Sequence, residues 1–252
     1  MAKLLRTKDR ILLGIALMGD IFDEMRLLGG LVSKKYELVY GWIPPAFRKS
    51  TYYKNISRLL RTGDLEKVVE KGQAVLRITG QGAKRMVRKF PFIKIASKKW
   101  DGKWTIFMFD IEEVIRSKRD RLRKRLITLT FAKLQRSVYT TPHDFVAELR
   151  EWVEFLGLKG KVRIFRAEEV TGENPKDLVE KLWKISKLND AYQGLLDQLQ
   201  KGRELRGKKR EKLCQRLKSE LLEIVVKDPF LPQELLPKDW VGAKARKIIG
   251  SL

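Results

Sequence analysis

The stretch from Trp104 to Pro142 constrains the fold most, because strand-like and helix-like apolar patterns follow one another within it. Residues 104–111 are rich in β-branched and aromatic types, which predicts a buried strand ending at Asp110. Leu122, Leu126 and Leu129 then recur at i, i+4 and i+7, which predicts a helix with one apolar stripe, capped by Ser117. The other faces of this helix are basic, with Lys118, Arg119, Arg121, Arg123, Lys124 and Arg125.

The same pattern continues to Ala167 and completes a domain. Phe131–Thr141 is again rich in strand-forming residues, and a second amphipathic helix is predicted from near Asp144. Its apolar face consists of Phe145, Leu149, Trp152, Val153 and Leu156. Lys161–Ala167 predicts a last strand. The order strand, helix, one or two strands, helix, strand is that of a ferredoxin-like split βαβ domain.

The charge of the chain points to a polyanionic partner. Its 252 residues carry a formal net charge of +24. The first hundred residues hold 22 Lys and Arg against 8 Asp and Glu, which concentrates the excess there. A positive field of this size attracts nucleic acid, an anionic membrane surface or a multiply phosphorylated ligand, and nucleic acid is the partner we expect.

Other kinds of site find little support in the composition. The chain has one cysteine, Cys214, and one histidine, His143, which together cannot supply a zinc site of His and Cys ligands. A single cysteine suits a reducing cytoplasm. No apolar run is long enough to span a membrane, and no secretion signal is evident. We therefore expect a cytoplasmic protein with no membrane partner, no cofactor and no catalytic residue.

The residues before Trp104 predict three helices, a hairpin and a short basic helix. The three helices are predicted at residues 7–28, 31–40 and 45–62, with glycines or prolines between them. Two extended runs, 65–69 and 74–78, flank a glycine turn at 70–73, and a basic helix follows Gly80. Three helices followed by a hairpin form the winged helix-turn-helix arrangement, in which the third helix enters the major groove.

The third predicted helix is amphipathic in a way that suits base recognition. Tyr52, Ile56, Leu59 and Leu60 share one face and predict its packing side. Thr51, Lys54, Asn55 and Arg58 share the opposite face. Arg can bond bidentately to guanine and Asn to adenine, although a solvated polar face has the same pattern. The predicted DNA-binding set, which includes the hairpin tip, is Arg48, Thr51, Lys54, Asn55, Arg58, Lys71 and Gln73.

The central segment resembles the small CRISPR-associated ferredoxin-like nuclease in its strand ending Phe-Asp-Ile, its basic helix and its strand Gln135-Arg136-Ser137-Val138-Tyr139. That resemblance implies that Asp110 is a metal ligand. Two such aspartates, one from each protomer of a dimer, could hold a divalent ion. A strand-end aspartate that caps the backbone or pairs with a basic neighbour such as Arg116 is the alternative.

Residues 171–252 predict a helical domain with an unusual tail. A turn-rich linker at 171–175 precedes one helix to about Leu199, and a second helix is predicted at 211–226. The tail contains Asp228-Pro229, Leu231-Pro232, Glu234-Leu235-Leu236-Pro237 and Trp240-Val241-Gly242-Ala243-Lys244-Ala245-Arg246. Its prolines prevent a single helix and favour an extended clasp on the helical domain, with part of an effector pocket as the alternative.

This tail, with Leu182-Trp183 and Tyr192 upstream, resembles the C-terminal signature of the phenylacetate-catabolism repressor (PaaX) family, whose central domain shares the ferredoxin-like fold. The resemblance implies an α+β protein of three domains: a winged helix-turn-helix at 1–98, a ferredoxin-like domain at 99–170 and a helical domain at 171–252. It also implies a homodimeric transcriptional repressor that binds double-stranded DNA. A small-molecule effector such as an acyl-coenzyme A would release the repressor from the DNA. The alternative is a metal-dependent nuclease or CRISPR-associated binder using Asp110.

Overall fold

The computed structural model describes residues 8, 11–12, 37–39, 49–70, 73–89, 99–112, 116–169, 172–250 and 252. Elements are numbered in chain order among these residues. The chain forms two compact units, of which the first takes the residues up to Arg88, together with Ser186–Asp228 and Asp239–Leu252. The second takes Lys89–Ile185 and Pro229–Lys238. The division into three consecutive domains stays a prediction.

In the first unit, the N-terminal part of the chain contributes a small antiparallel sheet and two helices. Its strands are β1 (Glu37–Val39), β2 (Leu65–Glu70) and β3 (Gln73–Ile78), in the order β1-β3-β2. Helix α1 (Lys49–Arg61) precedes the hairpin, and helix α2 (Gly80–Lys89) follows it. The hairpin register pairs Leu65 with Ile78 and Glu70 with Gln73, which confirms the two extended runs around the predicted turn.

The helix predicted at 31–40 is wrong at its C-terminal end. Residues 37–39 form β1, which pairs antiparallel with β3 so that Leu38 lies opposite Leu76. Hydrogen bonding to a strand far along the chain outweighs the local helical pattern, which is how tertiary context overrides propensity. In the predicted first helix, residues 8, 11 and 12 are described and helical, with Ile11 and Leu12 buried. The complete winged helix-turn-helix arrangement stays a prediction.

The second unit holds a four-stranded antiparallel sheet. Its strands are β4 (Trp104–Phe109), β5 (Ala132–Gln135), β6 (Val138–Thr141) and β7 (Val162–Ala167), in the order β5-β6-β4-β7. Helix α3 (Arg116–Thr128) joins β4 to β5, and helix α4 (Val146–Phe155) joins β6 to β7. The first and third strands are neighbours at the centre, with the fourth on one edge, as expected for the predicted split βαβ order.

The apolar stripes of this unit form its core. Leu122 and Leu126 of α3 and Leu149 of α4 are fully buried, and Phe109 of β4 stacks on Tyr139 of β6 with ring centroids 6.0 Å apart. Ser117, predicted to cap α3, lies inside its first turn, because the helix begins at Arg116. The prediction that Ser117 caps the helix is therefore wrong, because an N-cap residue precedes the first helical residue. The helix and its buried leucines are confirmed.

The remaining helices are α5 (Pro175–Trp183), α6 (Ile185–Lys201), α7 (Gly207–Val225) and α8 (Gly242–Gly250). The single helix predicted up to Leu199 is broken, because Lys184 adopts a left-handed conformation with φ 54° that ends α5. The side chain of Asn174 caps α5 by accepting a hydrogen bond from the amide of Lys176. None of the described helices has the length and apolar character needed to cross a membrane.

The tail after α7 is not a single helix, in agreement with its prolines. In the second unit, Gln233–Leu235 forms one short 3-10 turn that packs near α5, with Leu231 and Leu235 buried. In the first unit, Trp240 meets Tyr192 edge-on at 5.6 Å, and the side chain of Asn189 bonds the backbone at Asp239 and Val241. The tail is thus anchored along its length by apolar contacts and backbone hydrogen bonds.

Candidate nucleic-acid interface

Helix α1 has a buried face and an exposed face, as its sequence predicts. Tyr52, Ile56 and Leu59 are each 2% exposed. Burial, with a smaller effect of the neighbouring Tyr53, raises the pKa of Tyr52 to about 12, so this phenol stays neutral in the core. The helix contains four basic residues and no acidic one. All the charged residues of this helix are therefore cationic.

The predicted base-reading residues lie on this outward face. Thr51, Lys54 and Arg58 are exposed, and Asn55 is half-buried. The Asn55 side-chain amide donates a 2.7 Å hydrogen bond to the Thr51 carbonyl of the preceding turn. In this conformation Asn55 bonds its own helix, so contact with a base would require its side chain to turn outward. Arg58 and Lys54 project without such a bond in the described structure.

The end of α1 is fixed to the hairpin by a tight backbone turn. Gly63 has φ 67°, and the Asp64 amide donates to the Leu59 carbonyl at 2.9 Å, which is the Schellman pattern of a helix C-terminus. The Thr79 amide, just after β3, donates to the Asp64 carbonyl at 3.1 Å. The helix end and both hairpin strands therefore share one junction.

A buried carboxylate completes this junction. The Asp64 side chain is 5% exposed and accepts hydrogen bonds from Thr62 Oγ1 at 2.7 Å and from Arg85 Nη1 of α2 at 2.8 Å. A buried carboxylate requires such partners, since burying a charge alone is costly. The junction thus ties α1, β2 and α2 together.

Close packing at Gly82 holds α2 against the same junction. A Cβ atom at this position would lie 2.1 Å from the Asp64 carbonyl oxygen, so only glycine fits. The Gly82 amide donates to Thr79 Oγ1 at 3.0 Å, which caps the first turn of α2. These contacts pack α1, the hairpin and α2 together at this junction.

Sequence reasoning missed this junction. Asp64 and Arg85 are separated by 21 positions, so no periodic pattern connects them. The signal that was available is Thr62-Gly63-Asp64 at a helix end, where glycine stops the helix and two polar side chains follow it. Two predicted DNA-binding residues, Arg48 and Lys71, lie outside the described residues. Gln73 is described only as the first residue of β3.

The alternative metal site, at the end of β4, is exposed to solvent and has few candidate ligands among the described residues. Asp110 is exposed, and its backbone amide donates to the Lys161 carbonyl at 2.9 Å. The carboxylate of Glu112 pairs with Lys161, and this contact lowers the pKa of Glu112. Among the described residues, no group of three or more His, Cys, Asp or Glu side chains is placed to hold a metal ion. A metal role of Asp110 stays a prediction.

Comparison with protein families matches two stretches that together cover more than half of the chain. Residues 97–179 match the domain described as the PaaX protein central Cas2-like domain. Residues 183–252 match the PaaX-like protein C-terminal domain. The first match therefore includes the four-stranded sheet, α3, α4 and the first part of α5, and the second includes α6 to α8.

Two individual proteins are similar to this chain. The transcriptional repressor PaaX of Escherichia coli strain K12 is 27% identical over 160 residues, a match covering 59% of this chain and 50% of that protein. The chain thus matches about half the length of this relative. The solved structure of the uncharacterized protein Rv0674 from Mycobacterium tuberculosis is also similar, with a TM-score of 0.53 and 21% sequence identity. The match covers 82% of this chain and 85% of the Rv0674 chain. The latter similarity supports the fold alone.

Proposed function

The chain belongs to the PaaX family, and from that premise we propose that it is a transcriptional repressor that binds double-stranded DNA through α1. The observation that carries the proposal is the two-sided character of α1. Its apolar residues are buried, while Lys54 and Arg58 project outward from a helix without acidic residues. Helix-turn-helix proteins place such a face in the major groove, where arginine pairs with guanine.

The junction at Asp64 supports the same proposal from packing. A helix that reads base edges must be held in one orientation, because direct readout depends on hydrogen-bond geometry. Arg85, Thr62 and the backbone around Gly82 hold the end of α1 in this way. In this proposal the hairpin tip, with Lys71 and Gln73, contacts the neighbouring backbone or minor groove.

In this proposal, residues 1–98 form the DNA-binding domain. The ferredoxin-like domain (99–170) and the helical domain (171–252) position α1 on the DNA and control its binding. As a homodimer, the protein would set two α1 helices on half-sites in successive major grooves. A small effector, an acyl-coenzyme A by family resemblance, would release the DNA by stabilising a dimer in which that spacing is lost.

The proposal is tested by recovering protein-bound genomic fragments and sequencing them. A shared inverted repeat near promoters is expected from a dimeric repressor. Affinity for that site is then measured for Arg58→Ala, which should lose about 1–3 kcal/mol and relax the preference at one base pair. Arg203→Ala, which removes an exposed arginine distant in sequence from α1, is the matched control. Scattered fragments without a repeat, or equal losses in both variants, would contradict base reading by α1.

A further inference from the structure

A second cationic surface lies in the other compact unit, on α3 and α4. We call it the aromatic–basic surface and define it by Arg121, Lys124 and Arg125 of α3 with Trp152 and Phe155 of α4. Its residues play no part in the proposed reading of duplex DNA by α1. The core of the unit is formed by other side chains of the same helices, such as Leu122, Leu126 and Leu149.

The aromatic part of this surface combines a half-buried ring, Trp152, with an exposed ring, Phe155. The rings of Trp152 and Phe155 stack with centroids 5.3 Å apart and 24° between their planes. Phe155 is 69% exposed. The Arg121 guanidinium lies 6.0 Å from the Trp152 ring and 5.9 Å from the Phe155 ring, and Arg125 lies 5.8 Å from Trp152. Two aromatic rings and two guanidinium groups therefore form one continuous layer.

The positive charge of α3 is poorly compensated within the helix itself. Helix α3 carries seven basic residues and one acidic residue, Asp120, which lies within 4.0 Å of Arg116 and Arg123. In the described part of the chain, no carboxylate forms a salt bridge with Arg121 or Lys124. Like charges at helical spacing destabilise the helix that carries them, so a bound anion would relieve the repulsion.

Arg125 contributes a further cation at the edge of the layer. Burial lowers its pKa, and the nearby Glu148 of α4 acts in the opposite direction. Glu148, Trp152 and Phe155 follow one another at i, i+4 and i+7, and the exposed Glu151 lies one turn before Phe155, so two carboxylates of α4 border the surface. The remaining cations, Arg121 and Lys124, are exposed and face solvent. The surface as a whole is cationic next to an accessible aromatic ring.

We propose that the aromatic–basic surface binds single-stranded nucleic acid, with phosphates on Arg121 and Lys124 and an unstacked base on Phe155. Cations that follow the backbone beside aromatic rings that stack on bases are the two components of single-strand recognition. Duplex DNA would satisfy the cations alone, because its bases are already stacked on one another and leave the Phe155 ring without a partner. The exposed ring is what selects the single strand. This site does not depend on α1.

The test measures fluorescence anisotropy of a labelled oligothymidine of about 12 nucleotides, a length within the usual site size, with the full chain. Phe155→Ala removes the exposed ring, and a double variant, Arg121→Gln with Lys124→Gln, removes two cations. The matched control is Lys208→Gln with Lys209→Gln, which lowers the net charge equally at exposed positions of α7. A duplex of the same length is titrated in parallel.

We expect Phe155→Ala to weaken binding of the single strand about tenfold and to leave binding of the duplex unchanged. The α3 double variant should reduce the salt slope for the single strand by about 1.4, since each phosphate contact contributes about 0.7. The proposal is overturned if the α7 control reproduces these losses or if Phe155→Ala has no effect. It is equally overturned if the α3 variant weakens the duplex alone, because that would assign the surface to duplex backbone. Circular dichroism of each variant verifies folding.

Discussion

The buried ion pair that holds the tail in the first unit offers the sharpest test of stability. Asp228 accepts hydrogen bonds from Tyr192 of α6 at 2.7 Å and from Arg246 of α8 at 2.6 Å. Burial and then the Asp228 carboxylate raise the pKa of Tyr192, so the phenol remains a donor. Burial alone lowers the pKa of Arg246, but Asp228 outweighs it, and the net direction is upward.

Asp228→Asn should therefore leave a buried guanidinium without its counter-charge. Removing one partner of a buried pair costs about 3–5 kcal/mol. The lower end, about 3 kcal/mol, is expected here, because the Arg246 side chain is 16% exposed and Asn can still accept from Tyr192. For a chain of this size, each kcal/mol lowers Tm by about 2–4 °C, so the expected shift is about 6–12 °C.

Thermal unfolding followed by circular dichroism measures this shift. The matched comparison is a double variant, Asp228→Asn with Arg246→Met, in which both charges are removed. It should recover part of the lost stability, because an apolar side chain replaces the unpaired cation. A single variant within about 0.5 kcal/mol of the parent protein, or a double variant no more stable than the single one, would refute this reasoning.

Three further changes follow from the described contacts. Gly82→Ala should destabilise the protein by about 1–3 kcal/mol or more in denaturant unfolding, since its Cβ would lie 2.1 Å from the Asp64 carbonyl oxygen. Partial burial raises the pKa of Asp101, but hydrogen bonds from the Lys103 amide and the Arg166 guanidinium outweigh it, so the net direction is downward. The stabilising effect of the Asp101 carboxylate therefore exists above about pH 4 and is lost as the pH falls. Asp101→Asn should destabilise the protein in unfolding at pH 7 and leave its stability unchanged near pH 2. Leu217→Ala should cost about 2–5 kcal/mol by calorimetry, because this side chain is fully buried.

The sequence predicts the ferredoxin-like middle well, because each element there carries its own local signal. The strand at Trp104, the stripe of Leu122 and Leu126 and the last strand to Ala167 are each periodic. Their order leaves few arrangements for a single sheet. The same holds for α1, whose buried and exposed faces are those expected from its spacing.

What the sequence does not predict depends on contacts between distant residues. Residues 37–39 become a strand only because β3 lies beside them, and the Asp64–Arg85 contact joins two elements across the hairpin. Lys184 breaks a helix whose apolar stripe continues on both sides, and a left-handed lysine has no local signature. Such features follow from tertiary packing, which a periodic pattern does not record.

The most direct test of the account is the salt dependence of binding to double-stranded DNA. Affinity of the full chain for duplex fragments is measured over a range of ionic strengths by fluorescence anisotropy. If α1 and its cationic surroundings contact phosphates, log affinity should fall linearly with log salt, by about 0.9 for each phosphate contact. An affinity that does not change with salt, or no measurable binding to any duplex, would contradict DNA recognition by this chain.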